Sequence, residues 1–294
     1  MASSLEKLPV EIILNIVIQL GWRPRDIRSL LGSCKIIRVF LKAFEKPLSR
    51  RFASHLYPAS THLIHSSSIQ PLIIFPHTFA WLAEKKKRTK ILRELSNSPL
   101  LDITIPNLLL SLFETSTRIC GSCGLLGINA FKSHGLNVLL RLADARVAGS
   151  VSIDDAQHGQ EFWIRDQDPL ALASALALVW VASLMFEYGD SSTWGAGGDK
   201  DNHATPGESS AEESNLVKRQ YIYRELALAH GPYFLWCSVS ESAKETRWAK
   251  KMLDEGAKGL EEYGVGSGPA NRNLQSAFLG RLAGLQGWKG WDEM

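Results

Sequence analysis

Cysteine is scarce in this chain: four residues in 294, Cys34, Cys120, Cys123 and Cys237. That is too few for a disulfide-stapled scaffold, and no Asn-x-Ser/Thr acceptor for N-glycosylation occurs. Both absences point to a reducing compartment, cytoplasm or nucleus. Excess charge of one sign is lacking too. With 33 Lys+Arg against 30 Asp+Glu, the composition asks for neither nucleic acid nor a membrane as the main partner. Motifs of catalysis are missing as well. There is no Gly-x-Ser-x-Gly elbow, no His-Glu-x-x-His, no phosphate-cradling Gly-x-x-x-x-Gly-Lys-Ser/Thr, and no Gly-x-Gly-x-x-Gly following a strand. The expectation is a non-catalytic chain without a cofactor.

Long uncharged runs are rare. Leu170 to Phe186, "LALASALALVWVASLMF", has no charge over seventeen residues. It is short for a membrane span and rich in Ala rather than Leu and Ile, so a buried central helix is expected. The apolar run near the start is no better as a secretory leader. Pro9 and Glu11 open it, Asn15 and Gln19 interrupt it, and no Ala-x-Ala-like site follows.

What is present is helical periodicity. In "LPVEIILNIVIQL" (Leu8 to Leu20) the polar residues Glu11, Asn15 and Gln19 are spaced i, i+4, i+8, a single stripe on a helix that is otherwise apolar. Pro9 suits its first turn. After "GWRPR", Asp26 is expected to cap a second helix carrying Ile27, Leu30, Leu31 and Cys34 on one face. A third segment repeats the period through Ile36, Ile37, Phe40, Leu41 and Phe44 and ends near Pro47. Three short helices cannot cover that much apolar surface among themselves. Another part of the chain, or another protein, must do it.

Leu8-Pro9-x-Glu11-Ile12-Ile13-x-x-Ile16-x-x-x-Leu20, followed by Asp26-Ile27-x-x-Leu30-x-x-x-Cys34-Lys35, resembles an F-box domain over about residues 4–57. The spacings match inside each block. The loop between the blocks is about two residues longer than usual. Ile36-Ile37-Arg38 stands where an aromatic commonly follows, and Leu56-Tyr57 where many members carry Leu-Trp. The resemblance implies docking onto the Skp adaptor of a cullin-RING ubiquitin ligase, with the rest of the chain holding an unknown protein target. The implied adaptor-binding residues are Leu8, Pro9, Ile12, Ile13, Ile16, Leu20, Ile27, Leu30 and Cys34. Some of these must instead hold the helices together, and periodicity does not sort the two groups.

Beyond the F-box the expected fold is mainly α: an irregular all-α domain, or one with a small β hairpin at "VSIDDAQHGQEFWI" (Val151 to Ile164). Its halves are 60–188 and 216–294, separated by a disordered acidic Gly/Ser-rich loop at 189–215. A helix is expected within His77 to Leu95. Ser242 with Glu245 resembles a capping box for another running to about Tyr263. "GVGSG" (Gly264 to Gly268) reads as a flexible connection. Cys120 and Cys123, in "CGSCG", have the local shape of a zinc knuckle, but a structural site wants four ligands. The other cysteines are Cys34 and Cys237, and His134 or His158 could contribute, but no second Cys-x-x-Cys or His pair follows, so no metal is assigned. "KKKRTK" (Lys85 to Lys90) suits a nuclear import signal or a solvated helix face. The functional expectation is a substrate-recognition subunit of a Skp–cullin–F-box ligase. The alternatives are an F-box scaffold acting without a ligase and a small zinc-containing interaction module.

Overall fold

The computed structural model describes residues 8–56, 77–101, 128–148, 153–188, 209–240, 242–263 and 274–282. Among them every regular element is helical, and no strand occurs. The chain divides into two compact units, Met1–Lys90 and Ile91–Met294.

In the first unit, α1 (Val10–Leu20), α2 (Pro24–Ser33), α3 (Lys35–Ala43) and α4 (Glu45–Leu56) follow one another with almost no linker, and α5 (Phe79–Ser96) crosses into the second unit. Pro24, not Asp26, starts α2. Proline presets the helical φ and has no N–H to leave unpaired, so the helix begins earlier and Asp26 lies inside its first turn, 4.0 Å from Arg23. The third segment ends at Ala43 rather than near Pro47. Pro47 sits in the first turn of α4, where its missing N–H breaks no helical bond. Cys34 caps α3, its Sγ accepting a hydrogen bond from the Ile37 N–H at 3.4 Å. Thr78 Oγ1 accepts from the Trp81 N–H, and the Glu45 carboxylate accepts from the Phe79 N–H at 2.6 Å, so a side chain of α4 holds the start of α5.

The core of this unit gathers Val17, Ile27, Ile37, Leu41, Leu48, Phe52 and Leu82 around Trp22. Trp22 belongs to the "GWRPR" connection, which by sequence is only a helix breaker. Its ring stacks on Phe79 at 5.6 Å and tilts against Phe52 at 5.8 Å.

The second unit is built around one helix. It contains α6 (Ile128–Ala148), α7 (Ile153–Asp166), α8 (Pro169–Tyr188), α9 (Ser209–His230), α10 (Pro232–Val239), α11 (Ala243–Tyr263) and α12 (Leu274–Leu282). The uncharged run forms α8, which packs on α6, α9, α12 and a 3-10 turn at Pro99–Leu101. Every residue from Leu172 to Val179 is buried. Its serines need no outside partner, since Ser174 Oγ and Ser183 Oγ donate to the carbonyls of Ala171 and Trp180. Small side chains permit close approach. A Cβ at Gly135 of α6 would lie 2.6 Å from Leu178 Cδ1.

The expected hairpin is absent: residues 153–166 are α7. The buried Gln160, Trp163 and Ile164 stand at i, i+3, i+4, the helical period. Gly159 reads as a turn residue but serves a crossing, since a Cβ there would meet the Ala145 carbonyl oxygen at 2.9 Å. Ser242 precedes α11, and its hydroxyl donates to the Glu245 carboxylate, a variant of the capping box.

Buried and half-buried polar groups join the helices of this unit. Gln160 Nε2 donates to the Leu142 carbonyl at 3.0 Å, and Arg224 lies over the Trp180 ring at 4.0 Å. Glu225 of α9 accepts from the N–H groups of Leu274 and Gln275 and from Gln275 Nε2, all within 3.0 Å, so one carboxylate caps α12. Burial raises its pKa, opposed by those hydrogen bonds and by Arg224. Glu225→Ala should lower the stability of the second unit by about 2 kcal/mol, read from urea unfolding, because it frees three donors at once. An unchanged midpoint would mean that α12 needs no anchor.

Candidate docking surface

The greasy helix at the start of the chain is only half covered by its own unit. Ile13 and Val17 are 4% and 1% exposed, and Ile27 of α2 is 2% exposed. They point inward. Ile12, Ile16 and Leu20 are 44%, 40% and 41% exposed and follow one another at i, i+4, i+8 beside the polar stripe of Glu11, Asn15 and Gln19. Pro9 is exposed with them and Leu8 is half-buried. Leu30 and Cys34 are half-buried and pack against the core cluster. The nine residues implied by the resemblance therefore fall into an outward stripe (Pro9, Ile12, Ile16, Leu20), an inward pair (Ile13, Ile27) and three of intermediate exposure. A contiguous apolar stripe left in water is the common mark of a protein-interaction surface.

Other exposed apolar residues of this unit are Ile36, Val39, Phe44 and Leu56. Ile36, Val39 and Phe44 lie among the cations of α3 and the start of α4, which the near-neutral overall charge conceals.

The remaining candidate groups do not converge. Cys120, Cys123, Gly264 to Gly268 and most of the 189–215 segment lie outside the described residues, although α9 begins at Ser209 within that segment. Cys237 is fully buried and His158 exposed. His134 is half-buried, its pKa lowered by burial and by Arg141 and raised by Asp168. Among the described residues no three His, Cys, Asp or Glu side chains are placed to hold a metal ion. "KKKRTK" is helical, within α5. Lys85 is buried with its ammonium 5.3 Å from the Trp81 ring centre, and burial lowers its pKa. Arg88 pairs with Glu84 at 2.8 Å, while Lys86, Lys87 and Lys90 face solvent. Among the described residues no helix is long and apolar enough to cross a membrane.

No family model, curated protein or solved structure matches the chain.

Proposed function

We propose that this chain is a substrate-recognition subunit of a Skp–cullin–F-box ubiquitin ligase, docking on the Skp adaptor through the outward stripe of α1. The observation that carries the reading is that stripe. Ile12, Ile16 and Leu20 remain 40–44% exposed within the Leu-Pro-x-Glu helix, while the alternate positions Ile13 and Val17 are used up by the core. The adaptor covers the exposed face, and the second unit presents the target. No bond is made or broken by the chain itself. It raises the local concentration of a target's lysines near the ubiquitin-loaded enzyme.

The test is co-purification of the full chain with the Skp adaptor and with cullin, alongside Ile12→Asp/Ile16→Asp. Both positions face water, so the variant should keep its circular dichroism spectrum. Central anchors are worth about 2 kcal/mol or more each, so adaptor affinity should fall at least about thirtyfold. Failure of the folded native chain to retain the adaptor would end this reading. Retention of adaptor without cullin would move the protein to the scaffold class.

A further inference from the structure

The overall charge of +3 conceals a strong separation. Met1–Lys90 carries 15 Lys+Arg against 5 Asp+Glu, and Ile91–Met294 carries 18 against 25, so the units are net +10 and −7. Within the first unit six of the fifteen cations lie on α3 and α4. From Arg28 to Arg51 there are seven Lys/Arg and one acid, Glu45, whose carboxylate is already engaged by the Phe79 N–H. Lys35, Lys42, Lys46, Arg50 and Arg51 are all exposed. None of these five forms an ion pair among the described residues.

Their neighbours decide what such a face suits. Ile36 and Val39 on α3 are 41% and 56% exposed, and Phe44, at the junction with α4, is 37% exposed. On α3, Lys35 and Lys42 flank Val39 on one side and Ile36 lies on the other, so cations and aliphatic side chains share one outward surface. A nucleic-acid backbone would gain nothing from exposed Ile and Val, and single-strand recognition wants stacking aromatics, of which this face has only Phe44. A lipid interface uses both kinds of group. Anionic headgroups take the Lys and Arg, and the boundary with the acyl chains takes the apolar side chains.

We propose that the α3–α4 face binds the surface of an anionic membrane peripherally, placing the first unit on the bilayer without spanning it. This surface uses residues other than Ile12, Ile16 and Leu20, so it stands independently of the adaptor reading.

The test is sedimentation of the full chain with vesicles of phosphatidylcholine alone, and with vesicles in which roughly a quarter of the lipid is phosphatidylserine, at about 0.1 M salt. The native chain should pellet with the anionic vesicles and stay in solution with the neutral ones. Each exposed cation near such a surface is worth about fivefold in partitioning. Lys42→Gln/Lys46→Gln/Arg50→Gln/Arg51→Gln should therefore weaken binding by at least about a hundredfold. Ile36→Ser/Val39→Ser should reduce retention as salt is raised. Arg38 is left unchanged because its Nε donates to the Leu31 carbonyl at 2.8 Å. The proposal is overturned if the native chain stays in solution with anionic vesicles, if it binds neutral ones equally well, or if the folded quadruple variant binds undiminished. It is also overturned if the chain binds a DNA or RNA duplex while ignoring the vesicles.

Discussion

Gly231→Ala is expected to lower the stability of the second unit by about 4 kcal/mol, a large fraction of what a domain usually has. Two effects combine there. Gly231 joins α9 to α10 with φ 65° and ψ −152°, a region that glycine alone occupies without strain. The conformation is held on both sides: the Gly231 N–H donates to the Ala227 carbonyl at 2.8 Å, the Gly231 carbonyl accepts from the Phe234 N–H, and Pro232 starts the next helix. A Cβ would also be driven into α6, 2.7 Å from the Leu139 carbonyl oxygen and 3.0 Å from Ala143 Cβ. Backbone strain is worth about 2 kcal/mol and overpacking about as much again. Gly21 supplies the control. It has nearly the same conformation, φ 69° and ψ −177°, yet nothing lies within 4 Å of its would-be Cβ. Gly21→Ala should therefore show the strain alone, about 2 kcal/mol, in the first unit. Hydrogen exchange of the full chain reads both units separately. Equal losses for the two variants would show that the crossing of α6 by the α9–α10 turn is looser than drawn.

Helices with a strong period were legible from the residues alone. The spacing of Ile27, Leu30 and Leu31 marked α2, and the chargeless run of Leu170 to Phe186 marked α8; Cys34, expected on the same face of α2, instead lies just past its end in extended backbone as the cap of α3. Boundaries were less so, because Pro24 and Asp26 both signal a helix start and the preset φ of proline decided between them. Gly159, inside the segment expected as a hairpin, shows a related ambiguity. In sequence a glycine signals a turn, and only the neighbouring Ala145 carbonyl shows that it makes room inside a helix. The candidate surface on α1 was legible as apolar but not as outward. Ile12 and Ile13 are the same residue type side by side, and only the position of the core separates an exposure of 44% from one of 4%. The basic face was concealed by a sum over the chain, since acids beyond Lys90 cancel the cations before it. Buried and half-buried polar groups gave no local signal at all. Gln160, Arg224 and Glu225 read as surface residues until their partners, distant in sequence, are in place.

One such group should make the second unit acid-sensitive. His230 ends α9 with its ring edge-on to Trp248, at 5.5 Å and 88°. The guanidinium of Arg146 comes within 3.0 Å of its Nε2 and 3.1 Å of its Nδ1, so the neutral ring accepts from Arg146, and a protonated ring would have no lone pair to offer. Burial, and then the charge of Arg146, push the His230 pKa down to about 4. The unfolded chain takes up this proton near the usual 6.5. Between those values the unfolded state binds more protons than the folded one, so stability falls as pH falls. The contribution is fully present above pH 6.5, is lost progressively down to pH 4, and amounts to about 3 kcal/mol. His134, whose pKa is also lowered, acts in the same sense, and Glu225, whose carboxyl is raised, acts in the opposite one. The His230 share is therefore best isolated by comparing native protein with His230→Asn in urea unfolding from pH 7 to pH 4. The variant is expected to be less stable at pH 7, where Arg146 and Trp248 lose their partner, and to depend less on pH. Its curve should approach that of the native protein at the acid end. Parallel curves across the whole range would show that His230 takes up its proton as readily in the fold as in the unfolded chain, and the contact with Arg146 would then have to be redrawn.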